Sequence, residues 1–178
     1  INPNYAVDML RSKAQILASL DRYDEALEHF DQAIAYRPNE EGLRLSRAEL
    51  TLRMGDVDSA IEQYEQTVKR WPDSPMSLNA LGYTLADRTD RYGEAAKLIK
   101  KALRTQPESP AIIDSWGWVL HRQGKNEEAL QYLEKAYERL SDPDVAGHIV
   151  EVLMALDRRE EAAARLAEAE LLFPDSDY

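Results

Sequence analysis

Apolar residues along the chain are mostly Leu, Ala, Ile and Val, set three and four apart with Glu, Lys, Arg and Gln between them. That spacing gathers apolar side chains on one face of a 3.6-residue helix, and the intervening residues are strong helix formers. The pattern predicts helices over nearly the whole chain. Within it four residues recur in order: a small residue, a bulky one four later, a second small one three after that, and usually Pro five further on. The copies are Ala26, Phe30, Ala33, Pro38; Ala60, Tyr64, Thr67, Pro72; Ala95, Ile99, Ala102, Pro107; Ala129, Leu133, Ala136, Ser141; and Ala162, Leu166, Ala169, Pro174. The leading Ala residues step by 34, 35, 34 and 33.

Five copies in register at this period resemble the tetratricopeptide repeat. So do the turn sequences from Asp21 to Ala26, Gly55 to Ala60 and Gly124 to Ala129. The resemblance implies an all-α fold, a right-handed α-solenoid of about five helix-turn-helix repeats forming a single array over residues 1–178. The period places the repeats at about 7–40, 41–74, 75–109, 110–142 and 143–176. Each repeat is then two antiparallel helices. Ala14, Ala48, Gly82 and Gly117 on first helices, facing the leading Ala of each second helix, permit a close approach. That approach buries Phe30, Tyr64, Leu133 and Leu166. Pro38, Pro72, Pro107 and Pro174 end second helices, because Pro lacks the amide hydrogen and restricts its predecessor. One repeat cannot bury its own apolar face, so stacking supplies the core.

Two irregularities are expected to fall in connections, where a change of length costs little. The third repeat carries one extra residue, placed in Arg88-Thr89-Asp90-Arg91, and the fourth ends early at Ser141-Asp142-Pro143. Asn2-Pro3-Asn4 reads as the tail of an earlier repeat. Leu171, Leu172 and Phe173 lie on a last helix with no capping helix after it. Solenoids need polar terminal caps. The chain is therefore expected to be a segment of a longer repeat protein, or to self-associate through that uncapped helix.

Composition removes several function classes. Acidic residues outnumber basic ones 33 to 22, a net charge of −11 that repels a phosphate backbone, so no nucleic-acid partner is expected. Without cysteine the chain has no disulfide, zinc–thiolate site or Cys nucleophile. No apolar stretch reaches the ~18 residues of a membrane span. His29, His121 and His148 have no second His or Cys at ligand spacing, and His29 on a second helix is expected to be solvated. Asp175 and Asp177 are too few for an EF-hand loop. A glycine-rich phosphate loop, His-Glu-x-x-His and Gly-x-Ser-x-Gly are all missing, and the carboxylates follow helix surfaces. The expectation is no catalytic residue, no metal and no cofactor in this segment, hence no enzyme.

In the tetratricopeptide family the first helices of successive repeats line a concave groove that grips peptides. Helical spacing puts Asp114, Trp118, His121 and Arg122 on one face at i, i+4, i+7 and i+8. Trp116 lies about 200° round from Trp118 and takes the core position, which directs Trp118 into the groove. The third repeat offers Asn79, Tyr83 and Asp87 in the same way, the earlier repeats Arg11, Gln15, Glu49 and Arg53, and the fifth Glu151. Packing on the neighbouring repeat is the alternative for Trp118 and Tyr83, and an ordinary solvated face for Arg11, Gln15 and Glu49. The repeats that bind acidic C-termini of heat-shock chaperones use Lys, Asn and Arg where this chain has Arg11, Gln15, Ser46, Met76 and Ala80. Only Arg11 is close, so that role is rejected.

The stretch from Asp114 to Leu156 goes beyond the generic repeat. Asp114-Ser115-Trp116-Gly117-Trp118, Gly124, Glu128-Ala129-Leu130, Ala136-Tyr137, Asp142-Pro143 and His148 to Leu153 resemble the C-terminal repeats of outer-membrane lipoproteins of Gram-negative bacteria. The resemblance extends to those that hold a carboxyl-terminal processing protease and deliver peptidoglycan hydrolases to it. It implies a non-catalytic periplasmic adaptor, anchored to the outer membrane through an N-terminal region not in this chain; a cytoplasmic location stays open. A structural self-assembly module and a regulatory domain of a larger protein are the competing readings.

Overall fold

A computed structural model describes residues 3–174, and their side chains from Tyr5 onward. Asn2, Asp175 and Asp177, which carry parts of the sequence reading, lie outside them. The described residues form ten helices and no strand. They alternate as first and second helices of five pairs: α1 (Pro3–Ser19) with α2 (Tyr23–Tyr36), α3 (Glu41–Arg53) with α4 (Val57–Arg70), α5 (Pro75–Arg88) with α6 (Tyr92–Thr105), α7 (Pro110–Arg122) with α8 (Asn126–Arg139), and α9 (Pro143–Ala155) with α10 (Arg159–Leu172). Among the described residues no helix is long and apolar enough to cross a membrane.

The turn inside each pair is a recurring device. In four of the five the middle turn residue is left-handed: Asp21 (φ 58°), Gly55 (φ 86°), Gly124 (φ 77°) and Asp157 (φ 57°). Each such residue lets the next amide reach back to a carbonyl in the last turn of the helix: Arg22 to Leu17 (2.9 Å), Asp56 to Thr51 (3.3 Å), Lys125 to Leu120 (2.9 Å) and Arg158 to Leu153 (2.9 Å). This satisfies helix-end carbonyls that would otherwise have no partner. The third pair differs. Its extra residue is not in the connection, as the sequence suggested, but inside α5, which has 14 residues where α3, α7 and α9 have 13. A lengthened helix keeps its internal hydrogen bonds, so the insertion needs no left-handed residue. Thr89 closes the turn instead, its hydroxyl donating to the Leu85 carbonyl (2.5 Å) and accepting from the Arg91 amide (3.1 Å). The fourth repeat's missing residue does fall in a connection, the short link between α8 and α9. There Asp142 caps α9 by accepting from the Asp144 amide (2.9 Å).

The chain divides into two compact units, Ile1–Leu81 and Gly82–Tyr178, with the boundary inside α5. In the first, Val7, Ala14, Leu17, Ala26, Phe30, Ala33, Leu43 and Leu50 make one buried cluster, with Leu27 and Ile34 packed against it. In the second, Ile99, Ile113, Leu120, Leu133 and Ile149 are fully buried, and α7 is buried continuously from Ile112 to Leu120. The second unit turns on two glycines. A Cβ on Gly82 would sit 2.7 Å from Ile99 Cδ1, and one on Gly117 2.7 Å from Leu133 Cγ and 3.2 Å from the Ala129 carbonyl. The first-to-second-helix contact leaves no room for a methyl group.

Gly117→Ala should therefore lower unfolding free energy by about 1–3 kcal/mol through overpacking, even though alanine is intrinsically the better helix former by about 1 kcal/mol. Gly147→Ala in α9, whose Cβ would meet nothing within 4 Å, should raise it by up to about 1 kcal/mol. Urea unfolding midpoints of the two variants decide the matter, and a shared direction would sink the close-approach argument.

Candidate partner-binding site

In the first unit the sequence candidates are surface groups. Gln15, Glu49 and Arg53 line a shallow pocket of about 220 Å³ floored by Ala18, Phe30 and Leu50. The Arg53 guanidinium also lies 5.7 Å from the centroid of the Tyr23 ring. Arg11 stands apart from that pocket. It is ion-paired with Asp8 (3.0 Å) and Glu40 (3.2 Å), and Glu40 also holds Arg37 (2.9 Å). Asn79 on α5 is half-buried, its Oδ1 without a hydrogen-bond partner among the described residues. His29, expected to be solvated, is half-buried with Nδ1 shielded. Its place on α2 turns one ring edge into the repeat.

In the second unit the candidates converge on a residue outside the predicted stripe, His148 of α9. Its Nδ1 donates to Asp114 Oδ1 of α7 (2.9 Å), and its Nε2 meets the Tyr83 hydroxyl of α5 (3.3 Å). The Trp118 ring stacks on it at 4.3 Å and 24°. One imidazole thus joins the first helices of three repeats. Further along, His121 lies 5.1 Å from Trp118, bonds Asn126 Oδ1 through Nδ1 (2.8 Å) and reaches the exposed Glu151 through Nε2 (3.3 Å). Arg122 donates to the Tyr92 hydroxyl (3.2 Å) and lies 5.9 Å from the Trp118 ring centroid. Asp87 pairs with its neighbour Arg88 (2.6 Å).

This geometry corrects the reading of Trp118 as a groove-exposed aromatic. It is 4% exposed, and Asp114 beside it is 8% exposed. The helical wheel gave its direction correctly, away from Trp116. What a wheel cannot give is that His148 on the next first helix lies over that face. Trp116 is buried as expected, edge-on to Tyr132 of α8 (6.3 Å) with the Lys100 ammonium of α6 at 4.9 Å. The two tryptophans of α7 are thus buried against different neighbours. The predicted stripe does not include His148, which lies one residue off the stripe position, at the register of the buried Ser115 in the preceding repeat. Its acidic neighbours Asp144 and Glu151, at i−4 and i+3, were the available signal.

Asp114, His148 and Tyr83 stand in the order of a carboxylate–imidazole–hydroxyl relay, but its terminal hydroxyl is a poor nucleophile. Burial, then the charges of Asp87, Asp114 and Asp144, push the Tyr83 phenol well above its ordinary value and keep it protonated. For His148, burial disfavours the charged form. The Asp114 hydrogen bond and charge, with Asp144 and Asp87 farther off, outweigh that, so its value lies above the ordinary 6.5. The charged form therefore adds stability that is fully present below 6.5 and is lost as pH rises through the folded-state value. Among the described residues no group of three or more His, Asp or Glu is placed to hold a metal ion. What remains is a rigid aromatic and polar platform with Arg122, His121 and Glu151 along its edge.

An NMR titration of the His148 ring should show this raised value. Asp114→Asn removes the hydrogen-bonded carboxylate and leaves the burial, so the value should drop below that of the parent and the stability gained on acidification should shrink. An unchanged titration in the variant would remove Asp114 as its cause.

Models of the tetratricopeptide repeat match residues 8–40, 45–110 and 113–140, together more than half of the chain. The chain is 40% identical over 149 residues to the TPR repeat-containing protein PA4667 of Pseudomonas aeruginosa, a match spanning 84% of this chain and 25% of that protein. It is 30% identical over 129 residues to cellulose synthase operon protein C of Pseudomonas fluorescens, spanning 72% and 10%. It therefore covers a quarter or less of the length of these relatives. Among solved structures it is similar to TTC0263, a thermophilic TPR protein of Thermus thermophilus, with a TM-score of 0.84, 24% identity and coverage of 96% of this chain and 93% of that one. That likeness shows the fold, an all-α repeat solenoid.

Proposed function

Because the chain belongs to the tetratricopeptide-repeat family, whose repeats build protein-interaction scaffolds and are generally non-catalytic, we infer that it binds partner polypeptides on the faces of its first helices. The observation that carries this reading is the platform on α5, α7 and α9. Tyr83, Asp114, Trp118 and His148 are locked together there, and exposed Glu151 and half-buried Arg122 and His121 border them. Side chains held this way lose little freedom when a peptide docks, so more of the contact energy appears as affinity. The aromatics give the platform stiffness, and the bordering polar groups make the contacts.

The finer reading is an adaptor on the periplasmic side of an outer membrane that brings peptidoglycan hydrolases to a carboxyl-terminal processing protease. It rests on the resemblance of the stretch from Asp114 to Leu156.

Both readings are tested by affinity capture from periplasmic and cytoplasmic fractions, with bound proteins identified by mass spectrometry. Trp118→Ala is the wrong probe, since emptying so buried a site costs about 3–5 kcal/mol. The combined Glu151→Lys and Arg122→Glu variant should keep its melting temperature within a few degrees and weaken binding of the captured partner about tenfold or more. Equal capture by parent and variant places the contact elsewhere. Capture of cytoplasmic proteins alone removes the periplasmic reading and leaves the scaffold.

A further inference from the structure

Stacking inside the first unit follows a rule that can be read residue by residue. Leu43 and Leu50 of α3 share one buried cluster with Phe30 of α2, and Leu27 and Ile34 of α2 pack against it. These are the residues by which a first helix lies on the second helix of the repeat before it. Their register equivalents in the later first helices are Ser77 and Thr84, Ile112 and Val119, and Val145 and Val152, every one of them buried. The same register in α1 falls on Met9 and Ile16. They are apolar like the pairs of α3, α7 and α9 (α5 has the polar Ser77 and Thr84 there), yet 57% and 60% exposed. Tyr5 and Leu20, one turn beyond each, are also exposed, and with Ser12 between them the five line an open, mainly apolar channel of about 510 Å³ that Asp8, Lys13 and Arg22 border.

The last helix answers differently. Leu27 and Ile34 of α2 correspond to Leu130 and Tyr137 in α8, both buried, but to Ala163 and Glu170 in α10, both exposed. Alanine stands at the first of these positions in α6 too, as Ala96, and a repeat follows α6; what sets α10 apart is the Glu170 carboxylate, where α4 has Val68 and α6 has Leu103. Leu171 is 84% exposed, but it and Leu172 correspond to Ala35 and Tyr36 of α2, which are exposed although a repeat follows them. The bare leucines of α10 are therefore no sign of a missing neighbour, whereas Met9 and Ile16 are.

We propose that the open face of α1 is a repeat-stacking face. In the whole polypeptide it is covered by the second helix of a further tetratricopeptide repeat encoded ahead of α1, with the small, aliphatic, bulky, aliphatic order of Ala26, Leu27, Phe30 and Ile34. A second copy fits less well as occupant, because the second helix it could offer end-on is α10, with Glu170 where α2 offers the apolar Ile34.

The chain has no cysteine, so single thiols report these faces directly. Met9→Cys, Ile16→Cys and Leu171→Cys are made both in this 178-residue chain and in the polypeptide carrying its encoded N-terminal continuation. Each is reacted with a maleimide, and the labelled peptide is identified by mass spectrometry. In the 178-residue chain all three should label fast at every protein concentration. In the longer polypeptide Met9→Cys and Ile16→Cys should slow at least tenfold while Leu171→Cys stays fast. Three results would overturn the proposal: a coding sequence with no such repeat ahead of Ile1, fast labelling at Met9→Cys and Ile16→Cys in the longer polypeptide, or labelling in the shorter chain that slows as its concentration rises. The last would make a second copy the occupant.

Discussion

The contact between a first and a second helix at Gly82 and Gly117 is the constraint on which the second unit depends. A helix pair that must bury its core from two amphipathic faces gains most when the backbones approach closely. Close approach is possible only where side chains vanish. At both sites a single Cβ would overlap the bulky residue opposite, Ile99 or Leu133. The small residues at Ala95, Ala129 and Ala162 meet the same demand from the second helix. Everything outside the pair follows: once Leu133 is seated under Gly117, the flanks of α7 are left for neighbours. Trp116 packs toward α6 and α8, and Trp118 toward α9.

Stacking then decides what kind of surface the first helices can present. Leu43 and Leu50 meet α2 through apolar groups, a nondirectional contact, and Arg47 of α3 adds a directional one at the surface by donating to Asp31 of α2 (2.6 Å). Where repeats meet through Asp114, His148 and Tyr83, each hydrogen bond has a direction. Leaving one of these buried groups unpaired would cost its full desolvation, so the three helices are fixed in register as well as held together. The cluster also keeps a charge equilibrium inside the fold. A histidine shielded from water is nonetheless easier to protonate than a free one, because three carboxylates surround it.

The repeat period, the pairing of helices and the close-contact residues were legible in the sequence because they are local. Small and bulky residues at fixed spacing specify a helix pair with no knowledge of its neighbours. The stripe of candidate residues was legible in the same sense, since Asp114, Trp118, His121 and Arg122 do share a face. Exposure was not legible. It depends on what the next helix places opposite, and His148 falls one residue away from the position that the repeat pattern marks. The third turn escaped for another reason. An added residue can enter a loop or a helix at similar cost, and only the side chain of Thr89, standing in for a left-handed residue, shows which was chosen.

The two units carry their candidate side chains in opposite ways, and this bears on what a scaffold of this kind can recognise. In the first unit Arg11 is already neutralised by Asp8 and Glu40, while Gln15, Glu49 and Arg53 surround an open pocket. A partner that engaged Arg11 would exchange one ion pair for another, a small net gain that salt weakens. In the second unit the aromatic groups are spent on rigidity, and the bordering Arg122, His121 and Glu151 are oriented by Tyr92, Asn126 and each other before any partner arrives. Preorganised polar groups on a stiff base discriminate well, because a partner that fails to match them leaves them unsatisfied at partly desolvated positions. On the proposed reading, selectivity would therefore come from the second unit, through the same buried contacts that hold its three first helices in register.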